Sequence, residues 1–269
     1  MTDISSRLVA TAIRPLVTKL LRQGSLSDGE VGVLEAAAGR TATLPANKDI
    51  VEEGSSPKES CLLIGGFTAR YKQLQSGGRQ ITAVHVPGDF IDLHSFLLQP
   101  MDHSIIALTD CKVVYFPHTA LHQITEKHPG LTRMLWADTL RDGAINREWL
   151  VAMGRLSAQQ HTAHFLCELY LRLEAVGLVQ DDSFSLPITQ STMSDTMGLS
   201  HVHMNRALQA LRAKGSVSFD RGIVVMKDFE ALVRFSEFDP TYLGRRRTAS
   251  RGARPESVAQ RSSEHPQLG

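Results

Sequence analysis

The spacing of apolar residues changes several times along the chain, and each change predicts a different element. In residues 4–23, Ile4, Leu8, Ile13, Leu16, Val17, Leu20 and Leu21 recur at near-helical intervals interrupted by Pro15, which predicts a leading helix. Ser27 and Glu30 form a capping-box pair, so a second helix is expected over about 28–38. From Thr41 to about Pro117 the texture turns to short β-type runs at 49–51, 60–64, 67–73, 80–86, 105–108 and 112–116. They are separated by turn signals such as Gly65-Gly66, Ser76-Gly77-Gly78 and Pro87-Gly88-Asp89. Strands so spaced, without long helices between them, favour an antiparallel sandwich or jelly roll. Such a barrel encloses a pocket and suits ligand sensing.

A short helix from Thr119 runs into His128-Pro129-Gly130, and a long one is expected over about 131–153. Its apolar residues, Leu131, Met134, Leu135, Leu140, Ile145, Trp149, Leu150 and Met153, are not confined to one stripe. A helix apolar on more than one side has two buried contacts. One would be the barrel; the other is either the same helix of a second copy or another part of this chain. Ser157 and Gln160 make another capping box and open a helix to about Ala175, and 184–186 reads as a short strand.

The stretch from Thr189 to Met226 has the most specific punctuation. Thr189 is placed to cap a short helix, Gly198 supplies a sharp turn, and Ser200 caps a second helix ending at Gly215. Runs at 216–219 and 223–226 flank Asp220-Arg221-Gly222 as a small hairpin. The unit reads as a winged helix-turn-helix, whose second helix enters the DNA major groove. Beyond Asp239-Pro240 the chain is polar and basic, with Arg245-Arg246-Arg247, and disorder is expected over 240–269.

Composition narrows the class without naming a function. Apolar residues at 42% and charged residues at 21% fit a soluble globular protein, and 269 residues allow two domains with real cores. A net charge of +1 does not advertise nucleic-acid binding, yet one basic face is enough for phosphate contacts. Cys61, Cys111 and Cys167 are scattered without a CxxC pair, which argues against a disulfide framework or zinc knuckle and for reduced thiols in the cytoplasm. No run approaches a membrane span.

On the second helix, His201, Val202, Asn205, Arg206 and Gln209 share one side, while Met204, Leu208 and Leu211 form an apolar back. The first five are the candidate base contacts. Arg206 ranks first, because a guanidinium can take guanine O6 and N7 together; Asn205 could do the same for adenine. Ser191, Thr192, Ser200, Arg212, Lys214 and Arg221 suit phosphates, which fix register without reading sequence. Arg212 and Lys214 would also favour the helix dipole by position alone.

The chain resembles the Crp/Fnr superfamily of bacterial transcription regulators. The resemblance rests on Gly88-Asp89-Phe90, on the stretch from Arg155 to Leu173, and on Thr189-Gln190 through Arg206-Ala207-Leu208-Gln209. The segments AVHVPGDFIDLHSFLL and DHSIIALTDC look most like its FixK-like, alphaproteobacterial part. Resemblance implies an α+β chain: leading helices at 1–40, a cyclic-nucleotide-binding-type jelly roll at 41–118, connecting and dimerisation helices at 119–156, and a winged helix-turn-helix at 157–239. It also implies double-stranded palindromic operators, a homodimer, RNA polymerase as a partner and no enzymatic activity. Many members carry a glutamate where Val202 stands; valine can touch a thymine methyl but cannot accept from cytosine.

Cyclic-nucleotide-binding relatives carry a glutamate for the ribose where this chain has Leu93, and an arginine for the phosphate where it has His103. Leucine cannot make the first bond and neutral histidine is a poor substitute for a bidentate guanidinium, so cyclic AMP is not the expected ligand. Iron–sulfur members need clustered N-terminal cysteines, and the first cysteine here is Cys61. No cofactor or metal is assigned, and the effector is left unidentified. The candidate sensor pocket is Asp92, Leu93, His94, His103 and Ser104, with His85 nearby in sequence. Two alternatives follow: a cyclic-nucleotide-responsive regulator, and a cupin-like metal enzyme with Asp92, His94 and His103 as ligands.

Overall fold

The computed structural model describes residues 9–245. The first residues of the leading helix and the tail beyond Arg245 lie outside them. Residues 9–12 are helical, a turn falls at Ile13, and helix α1 follows at Arg14–Leu21. Pro15 opens this helix instead of interrupting one, since in a first turn its missing N–H has no partner to lose. Helix α2, Asp28–Ala37, starts on the expected capping box: Ser27 Oγ accepts from the Glu30 N–H, and the Glu30 carboxylate accepts from the Ser27 N–H at 2.9 Å.

Two antiparallel sheets form the barrel. One has the order β1-β7-β3, the other β2-β6-β4-β5. The strands are β1 Thr41–Leu44, β2 Asp49–Val51, β3 Glu59–Gly65, β4 Thr68–Gln73, β5 Arg79–His85, β6 Ser104–Ala107 and β7 Cys111–Pro117. β1 was not foreseen. Its residues alternate only between exposed and half-buried, so the apolar signal is weak, although it pairs with β7 from Thr41↔Val114 to Leu44↔Cys111. Between the sheets, Cys61, Leu63, Ile91, Met101, Ile105, Ala107 and Val113 are buried together. The deep interior is thus filled with side chains, and the cavity lies where β4 and β5 meet the helices packed on the barrel.

Helix α3, His118–Lys127, leads into the long helix α4, Pro129–Arg155. α4 buries Leu131, Leu135, Asp138, Ile145, Trp149 and Ala152 on one side. On the other it leaves Trp136, Leu140, Leu150, Val151 and Met153 in solvent, with Leu150 70% exposed. Helix α5, Ala158–Ala175, is buried almost all round, as a helix at the centre of a domain should be. It carries the winged unit: strand β8 Ser183–Ser185, helices α6 Gln190–Met197 and α7 His201–Ala213, strands β9 Val217–Asp220 and β10 Ile223–Met226, and helix α8 Phe229–Ser236.

Disorder was expected from residue 240, but the described part of that stretch, up to Arg245, is ordered, and the remainder lies outside the described residues. Pro240–Leu243 forms a 3-10 turn, the Tyr242 hydroxyl donates to Glu168 at 2.8 Å, and Arg245 pairs with Glu174 at 2.6 Å. Polar composition concealed this anchoring, because the anchors act through a hydroxyl and a guanidinium on distant carboxylates.

One turn ties these parts together. Gly88 has φ +96°, and a Cβ there would sit 3.0 Å from the Pro15 carbonyl oxygen, so only glycine fits. The turn presents Asp89 to Lys19 of α1 at 2.9 Å and to Arg172 of α5 at 2.7 Å. Lys19 also reaches Asp138 of α4 at 2.8 Å, and Arg172 reaches the fully buried Glu168 at 2.9 Å. Burial opposes the Asp89 charge, but Lys19 and Arg172 outweigh it and hold the carboxyl well below the usual carboxylate range. Removing one member strands buried charge, which typically costs about 3–5 kcal/mol. Asp89→Ala should lower the unfolding free energy by about that amount in urea titrations; a loss below about 1 kcal/mol would mean the cluster is dispensable.

Candidate nucleic-acid interface

The helix-turn-helix is fixed by three local devices. Thr189 Oγ1 accepts from the Thr192 N–H at 3.0 Å and starts α6. Gly198 ends it in the left-handed region at φ +65°. Ser200 Oγ accepts from the His203 N–H at 3.3 Å and starts α7. Met204, Ala207, Leu208 and Leu211 bury the back of α7 in the same core as Met193 and Met197 of α6. Opposite them His201, Val202, Arg206 and Gln209 are exposed, and Asn205 is half-buried. Val202 is 59% exposed, an apolar side chain on an otherwise polar face.

The wing is a three-stranded sheet of order β8-β10-β9. Arg221 and Gly222 both have positive φ, +45° and +78°, the arrangement a type I′ hairpin turn requires. Arg221 is thereby exposed at the hairpin tip.

The proposed phosphate set divides. Ser191, Ser200 and Arg221 are exposed. Thr192 is only 8% exposed and its hydroxyl meets that of Thr189 at 3.0 Å, so it serves the cap and is withdrawn from the phosphate surface. Arg212 is exposed but donates to the Phe219 carbonyl at 3.1 Å, pinning the reader helix to the wing. Lys214 lies 3.3 Å from the Phe235 ring centroid. Both cations therefore have structural partners as well as solvent access.

The unit also touches the barrel. Arg79 of β5 donates twice to Asp195 of α6, at 2.9 and 2.7 Å, and Gln80 donates to the Thr196 carbonyl at 3.3 Å.

The candidate sensor residues do not form one site. Leu93 and His94 line the cavity. Ser104 Oγ accepts from the Glu53 N–H at 2.9 Å. Asp92 is buried and accepts from the Cys61 N–H at 2.5 Å, so it does not join the histidines as the metal-enzyme alternative required. His103 Nδ1 pairs with Asp102 at 2.7 Å. Among the described residues, His94, Asp102 and His103 have ligand atoms within 4.8 Å of one another, the one such three-donor set. Burial, and then the charge of Arg70, lowers the pKa of both imidazoles, with His94 down to about 4. That same charge opposes a bound dication. Burial pushes the Cys167 thiol up to about 12 and the Cys61 thiol upward too, so neither is a ready thiolate.

Residues of chemical interest that the sequence did not disclose are Arg70, Arg141, Lys19 and Arg172. The i, i+4 spacing of Glu168 and Arg172 was a readable signal; Arg70 had none, since its partner Asp142 comes from a distant segment.

A β-barrel joined through a long helix to a winged helix-turn-helix defines a class of DNA-binding regulators. Residues 41–128 match the cyclic nucleotide-binding domain family and residues 160–235 the Crp-like helix-turn-helix domain family. The chain belongs to the Crp/Fnr family and is a transcription regulator with a helix-turn-helix DNA-binding domain. It is 24% identical over 192 residues to the transcriptional activator protein FnrL of Cereibacter sphaeroides, covering 70% of this chain and 77% of that one. It is 25% identical over 200 residues to the nitrogen fixation regulation protein FixK of Azorhizobium caulinodans, covering 74% and 80%. The solved structure of FixK2 from Bradyrhizobium japonicum shares the fold, with a TM-score of 0.67 and 24% identity over 74% of this chain and 96% of that one.

Burial raises the Asp92 carboxyl to about 7, so the folded protein holds this proton where the unfolded chain, near about 3.9, has lost it. Stability from this group is complete below about pH 4 and is lost as pH rises to about 7. Asp92→Asn, which keeps the acceptor for Cys61, should flatten that decline by a few kcal/mol in urea titrations at pH 5 and 8. Equal slopes for the two proteins would contradict it.

Proposed function

We propose that the protein is a sequence-specific transcription regulator that binds palindromic operators in the cytoplasm as a homodimer, acts with RNA polymerase, and has no catalytic activity of its own. The observation that carries this reading is the outer face of α7: His201, Val202, Asn205, Arg206 and Gln209 stand on a buried apolar back, beside a wing with Arg221 at its tip. Arg206 is exposed and has no hydrogen-bonded partner among the described residues, which leaves its fork available for a guanine. Val202 fits a thymine methyl and favours an operator unlike that of glutamate-bearing relatives. Ser191, Ser200, Arg221 and, secondarily, Arg212 and Lys214 take the phosphates.

The unpartnered side of α4 supports the dimer. Trp136, Leu140 and Leu150 recur at intervals that keep one seam in register, with Gly143 between them where two helices could approach closely. Two-fold pairing there sets the reader helices one DNA turn apart, about 34–36 Å. A signal reaching the barrel would act on this geometry through α4 and the Arg79–Asp195 contact.

Arg206→Ala should weaken operator binding by about 1–3 kcal/mol and relax selectivity at one base pair per half-site. A gel-shift titration with unchanged affinity and selectivity would remove Arg206 as a base reader. Leu140→Asp with Leu150→Asp should turn the dimer into a monomer in sedimentation equilibrium; a dimer of unchanged affinity would place the interface elsewhere.

A further inference from the structure

Two imidazoles of the barrel carry nitrogens that no other group answers. His94 stands on a 3-10 turn, Leu93–Phe96, and His103 directly precedes β6. Nε2 of each is buried without a hydrogen-bond partner among the described residues, and the ring centroids lie 5.1 Å apart. Buried polar atoms are seldom left so. The loop between them is held independently of the two rings. Met101 is buried; its N–H donates to the Ser55 carbonyl at 2.8 Å, and its carbonyl accepts from the Gly54 N–H at 2.7 Å. Gln99 Nε2 donates to the Pro57 and Ser95 carbonyls, both at 2.8 Å, and Lys72 Nζ donates to the Asp102 carbonyl. The backbone is thereby fixed in a path that returns His103 to the side of His94.

Asp102 completes the group. Its Oδ1 lies 2.7 Å from His103 Nδ1, and its side chain is 72% exposed while that of His103 is 7% exposed. Asp102 and His103 are not among the walls of the cavity between barrel and helices, so the group opens to solvent through Asp102 instead. One ligand atom from each of His94, Asp102 and His103 lies within 4.8 Å of the other two. Around a tetrahedral ion bound at about 2.0–2.2 Å, donors stand roughly 3.4 Å apart. The set must close by an ångström or so at most, roughly, and the exposed carboxylate can make that movement. An ion between His103 Nδ1 and Asp102 Oδ1 would take the place of the proton they share.

The charge balance permits a cation. Arg70 opposes one, but it is paired with Asp142 at 2.8 Å, and Lys72 is paired with Glu53. Two cations therefore face three carboxylates once Asp102 is included, which leaves an excess of one negative charge. Two imidazoles and one carboxylate suit first-row transition ions, whereas magnesium and calcium take oxygen ligands. We propose that His94, Asp102 and His103 bind a divalent first-row transition ion such as zinc, through one nitrogen of each imidazole, one carboxylate oxygen, and water in the remaining position. So held, the ion ties the 3-10 turn to the start of β6. The assignment does not depend on the DNA reading.

The test uses untagged full-length protein freed of metal by a chelator, titrated with Co²⁺ and then with Zn²⁺. One Co²⁺ per chain is expected, with visible ligand-field absorption that Zn²⁺ abolishes, and Zn²⁺ should raise the melting midpoint. Asp102→Asn changes an exposed side chain and keeps an oxygen for His103; it should weaken Zn²⁺ about tenfold or more and remove the rise in midpoint. His94→Gln should do the same, and urea titration of the metal-free variant checks that it folds. His122→Ala, which breaks the i, i+4 histidine pair with His118 on α3, should bind as the wild type does. Absent uptake of either ion by folded wild-type protein, or wild-type affinity in Asp102→Asn, overturns the site, as does a loss of binding in His122→Ala.

Discussion

Asp89 is the constraint on which the arrangement of this molecule depends. A buried carboxylate is tolerated only with partners that outweigh its desolvation, and here those partners come from different parts of the chain. Lys19 brings α1, Arg172 brings α5, and through Lys19 and Arg172 the cluster reaches Asp138 of α4 and Glu168 beneath Trp149 and Tyr242. The barrel turn, the long helix and the base of the DNA-reading unit are thus held by one set of charges. Such a set fixes relative position more than it adds stability, because each ion gives up hydration to enter it.

That fixed position gives the reader its geometry and the cavity its walls. Leu171 and Arg172 face the cavity one turn above Glu168, so the helix that carries α6 and α7 also forms part of the cavity wall. A second link lies at the other end of the barrel strands, where Arg79 and Gln80 hold α6. The reader face itself is rigid, with caps at Thr189 and Ser200 and the Arg212 bond to the wing setting its angle.

Much of this was legible in the chain. Capping boxes at Ser27 and Ser157, the caps at Thr189 and Ser200, and Gly198 are local signals, and each appears in the fold with the geometry its residue type implies. The reader face followed from helical periodicity. What was not legible depended on segments distant in sequence: β1 is amphipathic too weakly to announce itself, Tyr242 and Arg245 anchor through polar contacts to α5, some seventy residues away, and Thr192 is buried by packing that its own stretch does not encode. The sensor set was assembled from neighbours in sequence, yet Asp92 turns to the Cys61 backbone while Arg70 and Arg141 arrive from a strand and a helix about seventy residues apart.

The central claim is that two copies of α7 read one two-fold DNA site. Selection of binding sequences from a random duplex pool by the purified full-length protein tests it most directly. The account predicts an enriched inverted repeat whose half-site centres lie about one helical turn, roughly 10 base pairs, apart. An enriched single half-site, or no enriched sequence from protein that is folded and dimeric, would contradict it.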